Sequence, residues 1–494
     1  MKYQSSIISL SFSEILDLLS PLLSQNSLER LMTISQSAEL RSLHFNEVSN
    51  QLQSSQETDI VFYFLPEQLS SAQELFWERK SQSKAVIIIT NQELDSSSIL
   101  ATKAGCFLLA QKLFLDKFYP VEFSQKKLVG ITGTNGKTTT THLCRQLINL
   151  HGKKAFSIGT LGIFNHKEER ADSLEQLTTP SYIELRKIFY TFFQDHDVGV
   201  MEVSAHGISL QRIYQLAFDV VAWTNFSQDH LDFYLEMGAY LAAKKQIVHF
   251  LRKDAPLLVP SGSTLLELIG DLHPCEAKNL LARGSSFCLH LPLFLNIPYN
   301  RENLELALSV LETLGLELNE DLVNKLQPPK GRFSLYQMAG RFIVVDYAHS
   351  PEALEKVCIE ARNLLINGKK GKLILLFGCG GNRDPLKRPL MGAIAEKMAD
   401  LVVVTSDNPR YEDPHNIILE ILKGIKNQDK VMIEEERTRA IELAWANMER
   451  GDVLVIAGKG HEDYQIINNQ KLPYSDFVAI EKLARDLNYK LENI

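Results

Sequence analysis

The segment 127–152 restricts the possible folds of this chain more than any other feature. An apolar run, KLVGIT, leads into a glycine-rich loop, and a helical pattern follows the loop. The loop consists of Gly133, Thr134, Asn135, Gly136, Lys137, Thr138 and Thr139. At such a strand end, backbone N–H groups converge on phosphate oxygens and the helix N-terminus adds positive potential. Lys137 can reach the outer phosphates and the Thr138 hydroxyl can ligate Mg²⁺, so the segment predicts nucleotide binding.

Short apolar runs alternate with helical patterns over most of the 494 residues. AFSIGT, DVGVMEVS and FDVVAWTNF follow the loop, and a second series, from RFIVVDYA to DVLVIAGKG, follows PPKGRF near residue 330. Buried strands alternating with helices indicate parallel sheets covered on both faces. We therefore predict an α/β protein of three domains. They are a small N-terminal α/β domain at 1–123, a central doubly wound mononucleotide-binding domain of P-loop type at 124–330, and a C-terminal Rossmann-like domain at 331–494.

Charge, cysteine spacing and hydropathy exclude several classes of protein. The formal net charge of -8 argues against nucleic acid as the main ligand. The six cysteines form no C-x-x-C pair, which argues against disulfides and structural zinc and for a reducing compartment. Polar residues interrupt the N-terminal segment before a signal-peptide core could form. Since no apolar run reaches about 18 residues, we expect no membrane span and a cytoplasmic protein.

Three segments of the central domain carry candidate catalytic side chains. Glu202 ends the DVGVMEV strand, on the ligand side of a parallel sheet, where it could hold a metal ion; a structural role is an equal alternative. Asp229 and His230, in TNFSQDHLD, follow another strand end and could supply a second Mg²⁺ ligand, although a lone histidine is more often structural. Lys244 and Lys245 lie on a predicted helix, and the pattern alone favours two solvated lysines.

Four strand ends of the C-terminal domain carry charged or polar side chains. They begin at Asp346 (DYAHSP), Gly378 (GCGGNRD), Asp407 (DNPR) and Gly458 (GKGHE). Because the carboxyl ends of parallel strands meet at one edge of a sheet, we expect a polar crevice there. Arg388 and Arg410 suit a bidentate grip on a carboxylate, and Glu462 could meet an ammonium group. The crevice therefore predicts an amino-acid site.

With these segments in place, the chain resembles the Mur ligases over about residues 127–485. GTNGKTTT, TNFSQDHLD, DYAHSP and DNPR recur in that family in the same order. The resemblance implies an ATP-dependent amide ligase of peptidoglycan precursor synthesis, and hence of cell-wall formation, cell shape and division. DNPR followed by AGKGHEDYQ is similar to members that add meso-diaminopimelate to UDP-N-acetylmuramoyl-L-alanyl-D-glutamate through an acyl phosphate.

The resemblance also implies roles for individual residues, with ATP and Mg²⁺ as cofactors and a monomer as the working form. The implied catalytic residues are Lys137, Glu202, His230 and Lys244. The implied Mg²⁺ ligands are Thr138, Glu202, His230 and Lys244, the last carbamylated and therefore anionic. Besides the loop, the implied ATP contacts are Asn300, Asn303, Arg332, Asp346, Tyr347 and His349. The implied contacts of the muramoyl dipeptide are Thr178, Thr179, Ser204 and Arg212, and those of the amino acid are Arg388, Asp407, Asn408, Arg410, Gly458 and Glu462.

Three departures from the family pattern leave alternatives open. The stretch from the region of His249 to Asn300 is short for the family, so we expect the central domain to lack some β-structure. Leu210 stands where the family usually has Gln, and the N-terminal Asp-Ser-Arg-type segment that accompanies the uridine site is missing. The alternatives are a ligase for another amino acid or carrier, including a folylpolyglutamate-type enzyme, a nucleotide-binding regulator without ligase activity, and a P-loop ATPase coupled to motion. The phosphate loop, the candidate metal ligands and the crevice together favour the ligase.

Overall fold

A computed structural model describes most of the chain. The described residues are 10–34, 44–45, 47–49, 55, 59–63, 70–85, 87–92, 94, 99–171, 177–278, 291–317, 319–366, 371–468 and 470–494. The chain divides into two compact units. The first unit comprises Met1–Leu128 and Lys153–Phe218, and the second comprises Val129–Gly152 and Asp219–Ile494.

Helices occur in both units. Among the described residues the α-helices are α1 (Phe12–Leu19), α2 (Gln25–Ile34), α3 (Ser70–Ser81), α4 (Phe107–Phe118), α5 (Lys137–Leu150), α6 (Tyr182–Phe192), α7 (Ala205–Ser209), α8 (Leu231–Tyr234), α9 (Met237–Lys245), α10 (Leu265–Ile269), α11 (Pro298–Thr313), α12 (Glu320–Val323), α13 (Pro351–Ile366), α14 (Lys387–Met398), α15 (Pro414–Leu422), α16 (Arg437–Ala446) and α17 (Asp476–Asp486).

The strands alternate with these helices, as the sequence predicts. Within the same described ranges they are β1 (Leu10–Ser11), β2 (His44–Phe45), β3 (Glu47–Ser49), β4 (Asp59–Tyr63), β5 (Ile87–Thr90), β6 (Ile99–Ala101), β7 (Lys127–Thr132), β8 (Ala155–Gly159), β9 (Gly162–Phe164), β10 (Arg170–Ala171), β11 (Val198–Glu202), β12 (Val220–Trp223), β13 (Leu257–Val259), β14 (Cys275–Glu276), β15 (Ser334–Met338), β16 (Arg341–Asp346), β17 (Leu373–Phe377), β18 (Leu401–Val404), β19 (Val431–Ile433), β20 (Val453–Ala457), β21 (Tyr464–Ile467), β22 (Gln470–Pro473) and β23 (Leu491–Asn493).

The described residues of the first unit contain three groups of strands, of which the antiparallel pair β1–β2 is the smallest. The strands β3, β4, β5 and β6 form a parallel sheet in that order, and the β-branched run of β5 suits a buried strand. Apolar side chains on one face of β4, β5 and β6 form a core with α1, α2, α4 and α6. Further along the chain, β11 pairs parallel to β8, and the antiparallel strands β9 and β10 extend the group beyond β8. The carboxyl ends of β8 and β11 therefore lie side by side.

The phosphate loop lies in the second unit, after a strand of a parallel group. The strands follow the order β7-β12-β13-β14, all parallel. The chain passes from β7 through the loop into α5, and Gly152, with φ of 89°, follows the end of that helix. The strand–loop–helix prediction for 127–152 is confirmed.

The second unit also contains a seven-stranded sheet in the order β19-β18-β17-β20-β16-β15-β23 and a separate antiparallel pair, β21–β22. The five strands from β19 to β16 are parallel, and β15 and β23 are antiparallel at the edge. Alternate residues of β17 point to opposite faces: Leu375 packs with α13, α14 and α15, and Leu376 packs with α16 and α17. The expected α/β fold class, with a Rossmann-like C-terminal sheet, is confirmed.

Two expectations concern features that the structure describes only in part. No helix in the described ranges combines the length and the apolar surface needed to cross a bilayer.

Five cysteines are described as free thiols, and burial raises the pKa of Cys358 and of Cys379 to about 12, so these two are chemically inert. Cys288 and residues 1–9, part of the segment that we expect not to be a signal peptide, lie outside the described residues.

Candidate active site

The two glycines of the phosphate loop have conformations and neighbours that exclude a side chain. Gly133 has φ of 139°, and a Cβ there would lie 2.0 Å from the Thr224 hydroxyl oxygen. Gly136 has φ of 83°, and a Cβ there would lie 2.5 Å from the Asn303 Oδ1 atom. Gly136 is also the N-cap of α5 and has no side chain that could cap the helix, an arrangement typical of a helix N-terminus that binds phosphate.

Two residues that follow β12 hold the backbone of the loop. The Asn225 side chain accepts from the Asn135 backbone N–H (2.8 Å) and donates to the Asn135 carbonyl (3.1 Å). The Thr224 hydroxyl donates to the same carbonyl. Sequence reasoning missed both residues, and the available signal was their position at the start of TNFSQDHLD, directly after a strand.

Lys137 and Lys244 meet at one carbonyl oxygen of the loop. The Lys137 Nζ donates to the carbonyls of Gly133 (2.9 Å) and Thr134 (2.8 Å), and the Lys244 Nζ donates to that of Gly133 (2.7 Å). Lys244 is buried, so the prediction of a solvated lysine is wrong there, whereas Lys245 is partly exposed. Burial, and next the charge of Lys137, hold the pKa of Lys244 well below its ordinary value. Both effects act against the charged form of this amine.

Asp229 and His230 form a strained pair beside the loop. His230 has φ of 58°, a conformation that costs a bulky residue about 1–3 kcal/mol and that clusters at functional sites. Its backbone N–H donates to the Asp229 carboxylate at 2.9 Å, and its Nε2 lies 3.4 Å from the other carboxylate oxygen. Burial alone would raise the pKa of Asp229, but His230, His349 and Lys387 together lower that pKa to about 2. The site therefore holds a fixed anion.

Arg332 connects the start of the C-terminal segment to the phosphate loop. Its Nη2 donates to the Thr138 hydroxyl at 3.0 Å, and its guanidinium lies 4.6 Å from the centre of the Tyr347 ring. The Asp346 carboxylate fixes this turn, because it accepts the backbone N–H groups of Phe333 (2.7 Å) and Ala348 (2.8 Å). The structure thus places Asp346 and Tyr347 around Arg332, which itself contacts the loop.

Asn300, Asn303 and His349, which are also predicted ATP contacts, have different hydrogen-bond partners. Asn303 is buried and accepts a hydrogen bond from the Thr140 hydroxyl (3.1 Å), at the first turn of α5. The Asn300 amide donates to the Phe294 carbonyl (2.9 Å), which anchors the start of α11. His349 donates from Nδ1 to the Tyr347 carbonyl (2.8 Å), and burial, followed by the charge of Lys387, lowers its pKa to about 4.

Glu202 and the predicted dipeptide contacts form one cluster in the first unit. The buried Glu202 carboxylate accepts the Thr160 backbone N–H (2.9 Å) and hydroxyl (3.0 Å), and Thr160 contacts the Thr178 hydroxyl (3.1 Å). Gly159 leaves the space that this carboxylate occupies, since a Cβ there would lie 2.1 Å from it. Thr160 was not predicted, although it follows the AFSIG strand as Glu202 ends the neighbouring strand.

Thr179 joins the remaining members of that cluster. Its hydroxyl donates to the Glu202 carbonyl (3.0 Å), lies 3.1 Å from the Ser204 hydroxyl and accepts the Ser204 backbone N–H (2.9 Å). Ser204 caps α7 by accepting the Gly207 backbone N–H at 3.0 Å. The Arg212 guanidinium donates to the Thr179 carbonyl at 2.9 Å. The predicted residues Thr178, Thr179, Ser204 and Arg212 are therefore adjacent.

A fully buried lysine organises the polar crevice of the C-terminal sheet. The Lys459 ammonium donates to Asn408 Oδ1 (3.1 Å) and Glu462 Oε2 (3.0 Å) and lies 3.4 Å from Asp407 Oδ1. The Asn408 amide also donates to Glu462 (2.8 Å). Gly458, with φ of 110°, leaves room for the Asp407 carboxylate, because a Cβ at position 458 would lie 2.9 Å from it. Lys459 was missed, although it lies between two predicted residues in GKGHE.

The two arginines of the crevice have different environments. Arg410, with φ of 56°, donates from Nη1 to the Gly381 carbonyl (2.8 Å). Arg388 is buried, and its terminal nitrogens donate to Glu412 (2.8 and 3.0 Å), Glu420 (2.8 Å) and the Gly380 carbonyl (3.1 Å). The terminal nitrogens of the Arg388 guanidinium thus already donate hydrogen bonds to protein groups.

Comparisons with known proteins fit this arrangement. The model of the Mur ligase middle domain matches residues 131–272, and the model of the Mur ligase glutamate ligase domain matches residues 331–460. A relative from Clostridium acetobutylicum, named UDP-N-acetylmuramoyl-L-alanyl-D-glutamate–2,6-diaminopimelate ligase 1, is 35% identical over 397 residues, which cover 75% of this chain and 80% of the relative.

Two further comparisons extend over more of the chain. A ligase of the same name, without the final numeral, from Syntrophomonas wolfei is 36% identical over 451 residues, which cover 84% of this chain and 90% of the relative. A solved structure of a UDP-N-acetylmuramoyl-L-alanyl-D-glutamate–2,6-diaminopimelate ligase aligns with a TM-score of 0.57 and 26% identity, over 98% of this chain and 100% of the other. The resemblance therefore reaches both units.

Proposed function

Because this chain belongs to the Mur ligase family of ATP-dependent amide ligases, we propose that it adds meso-diaminopimelate to UDP-N-acetylmuramoyl-L-alanyl-D-glutamate. One observation carries the proposal. Lys137 and the buried Lys244 meet at the Gly133 carbonyl of a loop that Arg332 also contacts. Lys137 and Arg332 supply positive charge at this loop, which suits the transfer of a phosphoryl group, and the relatives' names support the choice of substrates.

The proposed reaction activates the side-chain carboxylate of the D-glutamate. A carboxylate oxygen attacks the γ-phosphorus of ATP, the bond to ADP breaks, and an acyl phosphate forms. The amine of diaminopimelate then attacks the acyl carbon, loses a proton and displaces inorganic phosphate. The phosphate-loop amides and Lys137 bind and orient the phosphates and offset their charge, which is the main contribution a protein makes to phosphoryl transfer.

The residues present fit Mg²⁺, which prefers oxygen ligands. We propose Thr138, Glu202, His230 and carbamylated Lys244 as its ligands; the ion, when bound, neutralises phosphate charge. The lowering of the pKa of Lys244 by burial and by Lys137 supports the carbamate, since it increases the share of the neutral amine, the form that reacts with CO₂. The carbamate changes this residue from a cation into an oxygen ligand.

The remaining ATP contacts extend from the loop. We propose that the loop residues Gly133, Thr134, Asn135, Gly136, Lys137, Thr138 and Thr139 hold the phosphates, together with Asn300, Asn303, Arg332, Asp346, Tyr347 and His349. The contacts of Asn303 and Arg332 with the first turn of α5 support this assignment. For the carrier substrate we propose the adjacent set Thr178, Thr179, Ser204 and Arg212.

We assign the amino-acid site to the crevice around Lys459. The proposed contacts are Arg388, Asp407, Asn408, Arg410, Gly458 and Glu462. Diaminopimelate carries ammonium and carboxylate groups at both ends, and the crevice offers Glu462 to the first kind and Arg410 to the second. Arg388 acts through its bonds to Glu412 and the Gly380 carbonyl, which position the neighbouring turn.

Leu210 favours one alternative, a ligase of the same mechanism with a different carrier. It replaces the usual glutamine and is 49% exposed. A regulator that binds ATP without ligation and a motion-coupled ATPase make different predictions. The regulator releases no ADP on addition of the amine, and the ATPase releases ADP without it.

Labelled substrate tests the mechanism and the class of enzyme together. The D-glutamate carboxylate is enriched in ¹⁸O, and the phosphate released during turnover with ATP, Mg²⁺ and diaminopimelate is analysed by mass spectrometry. Transfer of one label to phosphate is expected, because the acyl phosphate oxygen leaves with phosphorus. Turnover with unlabelled phosphate would contradict an acyl phosphate, and release of ADP without the amine would favour an ATPase.

Three further assignments complete the proposal. We propose domain boundaries at 1–123, 124–330 and 331–494, which place each family match within one domain. We propose that the enzyme acts as a monomer, since each predicted residue set lies within one chain. We place the reaction in the cytoplasm, where ATP and nucleotide-linked precursors are available.

A further inference from the structure

His166, Asp195 and His196 form a cluster that the proposed reaction does not use. One ligand atom from each of these residues lies within 4.8 Å of the others. Asp195 and His196 precede β11, and His166 follows β9, which runs antiparallel to β8. The cluster therefore lies at the amino ends of the parallel strands β8 and β11, whereas Glu202 lies at the carboxyl end of β11.

The hydrogen bonds of His196 determine which of its nitrogens carries a lone pair. The Nδ1–H donates to the Phe192 carbonyl at 2.9 Å and to the Asp195 carboxylate. The lone pair is consequently on Nε2, which lies 3.0 Å from Nδ1 of His166. Proteins commonly orient a metal-binding histidine, and increase its basicity, through a carboxylate that accepts a hydrogen bond from the ring nitrogen that does not bind the metal.

The spacing and burial of the two rings suit an imidazole-bound ion. Two nitrogens at a zinc–nitrogen distance of about 2.0–2.1 Å in tetrahedral geometry lie about 3.3 Å apart, close to the observed 3.0 Å. His196 is buried against Phe156 and Phe192, with ring centres 5.5 and 5.4 Å away, so its orientation is fixed. His166 is half-buried and Asp195 exposed, which leaves an open side for water ligands.

We propose that His166 and His196 bind a divalent transition-metal ion of the zinc type, with Asp195 as the positioning carboxylate. Without metal, a hydrogen bond from the His166 Nδ1–H to His196 Nε2 satisfies the pair, and the ion takes the place of that proton. The bound ion joins the β9–β10 turn to the loop before β11. Nitrogen ligands distinguish this site from the oxygen-rich site proposed for Mg²⁺.

The test is a titration of the full-length protein with ZnCl₂ in the absence of nucleotide, followed by calorimetry. We expect saturable binding that raises the melting temperature, no comparable effect of MgCl₂, and at least roughly tenfold weaker binding in His166→Gln. Asp195→Asn should weaken binding by about 10- to 100-fold. His249→Gln is the control, because that histidine is exposed and distant from the cluster in sequence.

His166→Gln keeps the proposal testable even if changes at the buried His196 prevent folding. Its circular dichroism and its melting temperature without zinc should match those of the unchanged protein. Absence of saturable zinc binding would overturn the proposal. Equal affinities in the unchanged protein and in His166→Gln would also overturn it, since the zinc would then bind elsewhere.

Discussion

The guanidinium of Arg332 donates a hydrogen bond of 3.0 Å to the hydroxyl of Thr138, across 194 positions of the sequence. Thr138 follows the lysine of the phosphate loop, and Phe333 alone separates Arg332 from the start of β15. One contact thus connects the proposed nucleotide site with the start of the C-terminal segment. The ring of Tyr347 supports the guanidinium from its face.

Arg332→Lys is expected to raise KM for ATP by roughly 10- to 100-fold, the equivalent of losing one hydrogen bond to a charged group. Lysine keeps the charge but cannot both stack on Tyr347 and reach Thr138. Steady-state kinetics with varied ATP provide the measurement. Arg341→Lys is the matched control, because Arg341 also stacks on an aromatic ring, that of Trp445. Equal KM values for the two variants would contradict the assignment.

Lys244→Ala is expected to lower kcat by roughly 100-fold or more, because an anionic ligand at the phosphoryl site is lost. Short carboxylic acids added to this variant should restore part of the rate by replacing the carbamate. Lys245→Ala, which removes a partly exposed lysine paired with Asp271, should stay near the original kcat. Similar rates for the two alanine variants, or no rescue, would argue against the carbamate.

His349→Gln should change how stability depends on pH. The folded pKa of His349, about 4, lies below its ordinary 6.5 because of burial, the charge of Lys387 adding to the effect and that of Asp229 opposing it. Between these values the unfolded chain binds more protons, so His349 lowers the free energy of unfolding as pH falls. Urea unfolding should show that the free energy of unfolding of the variant, relative to that of the unchanged protein, increases by about 1–3 kcal/mol as the pH falls from neutral to about 4. An identical pH dependence in both proteins would refute this.

Lys459→Met should raise KM for the amino acid by at least roughly tenfold and leave KM for ATP unchanged. Burial raises the pKa of Glu462, and Lys459 counteracts the increase. Without the cation this pKa rises further, so the acidic limb of the kcat/KM profile should move to higher pH. Lys471→Met, a change at an exposed lysine that contacts Tyr464, is the control. An unshifted pH profile would leave Lys459 with a purely structural role.

The sequence predicted best those features that depend on local pattern. The loop between β7 and α5, the strands of the C-terminal sheet and the residues at their ends follow from apolar runs and glycine positions. The burial of Lys244 did not follow from the helical pattern, because it depends on the loop carbonyl to which the lysine donates. Thr224 and Asn225 were missed for the same reason, since their partner Asn135 is distant in sequence, as are Asp407 and Asn408, two of the three partners of Lys459.

The sequence also did not predict that the Arg388 guanidinium binds carboxylates of the protein itself. An arginine in the segment that follows a strand suits a substrate carboxylate, but Glu412 and Glu420 come from segments whose distance from Arg388 the sequence does not give. The adjacency of Thr178, Thr179 and Ser204 to Glu202 followed from the family resemblance alone, and the hydrogen bonds of the Thr179 hydroxyl supply the physical reason.

The most direct test of the proposed function is ADP release from purified protein with ATP, Mg²⁺ and UDP-N-acetylmuramoyl-L-alanyl-D-glutamate, with meso-diaminopimelate or lysine added in parallel. We predict ADP release that requires both the nucleotide substrate and diaminopimelate, with lysine a poor replacement. Turnover with lysine alone would retain the ligase and contradict the amino-acid assignment. Bound ATP without amine-dependent turnover would contradict the proposed function.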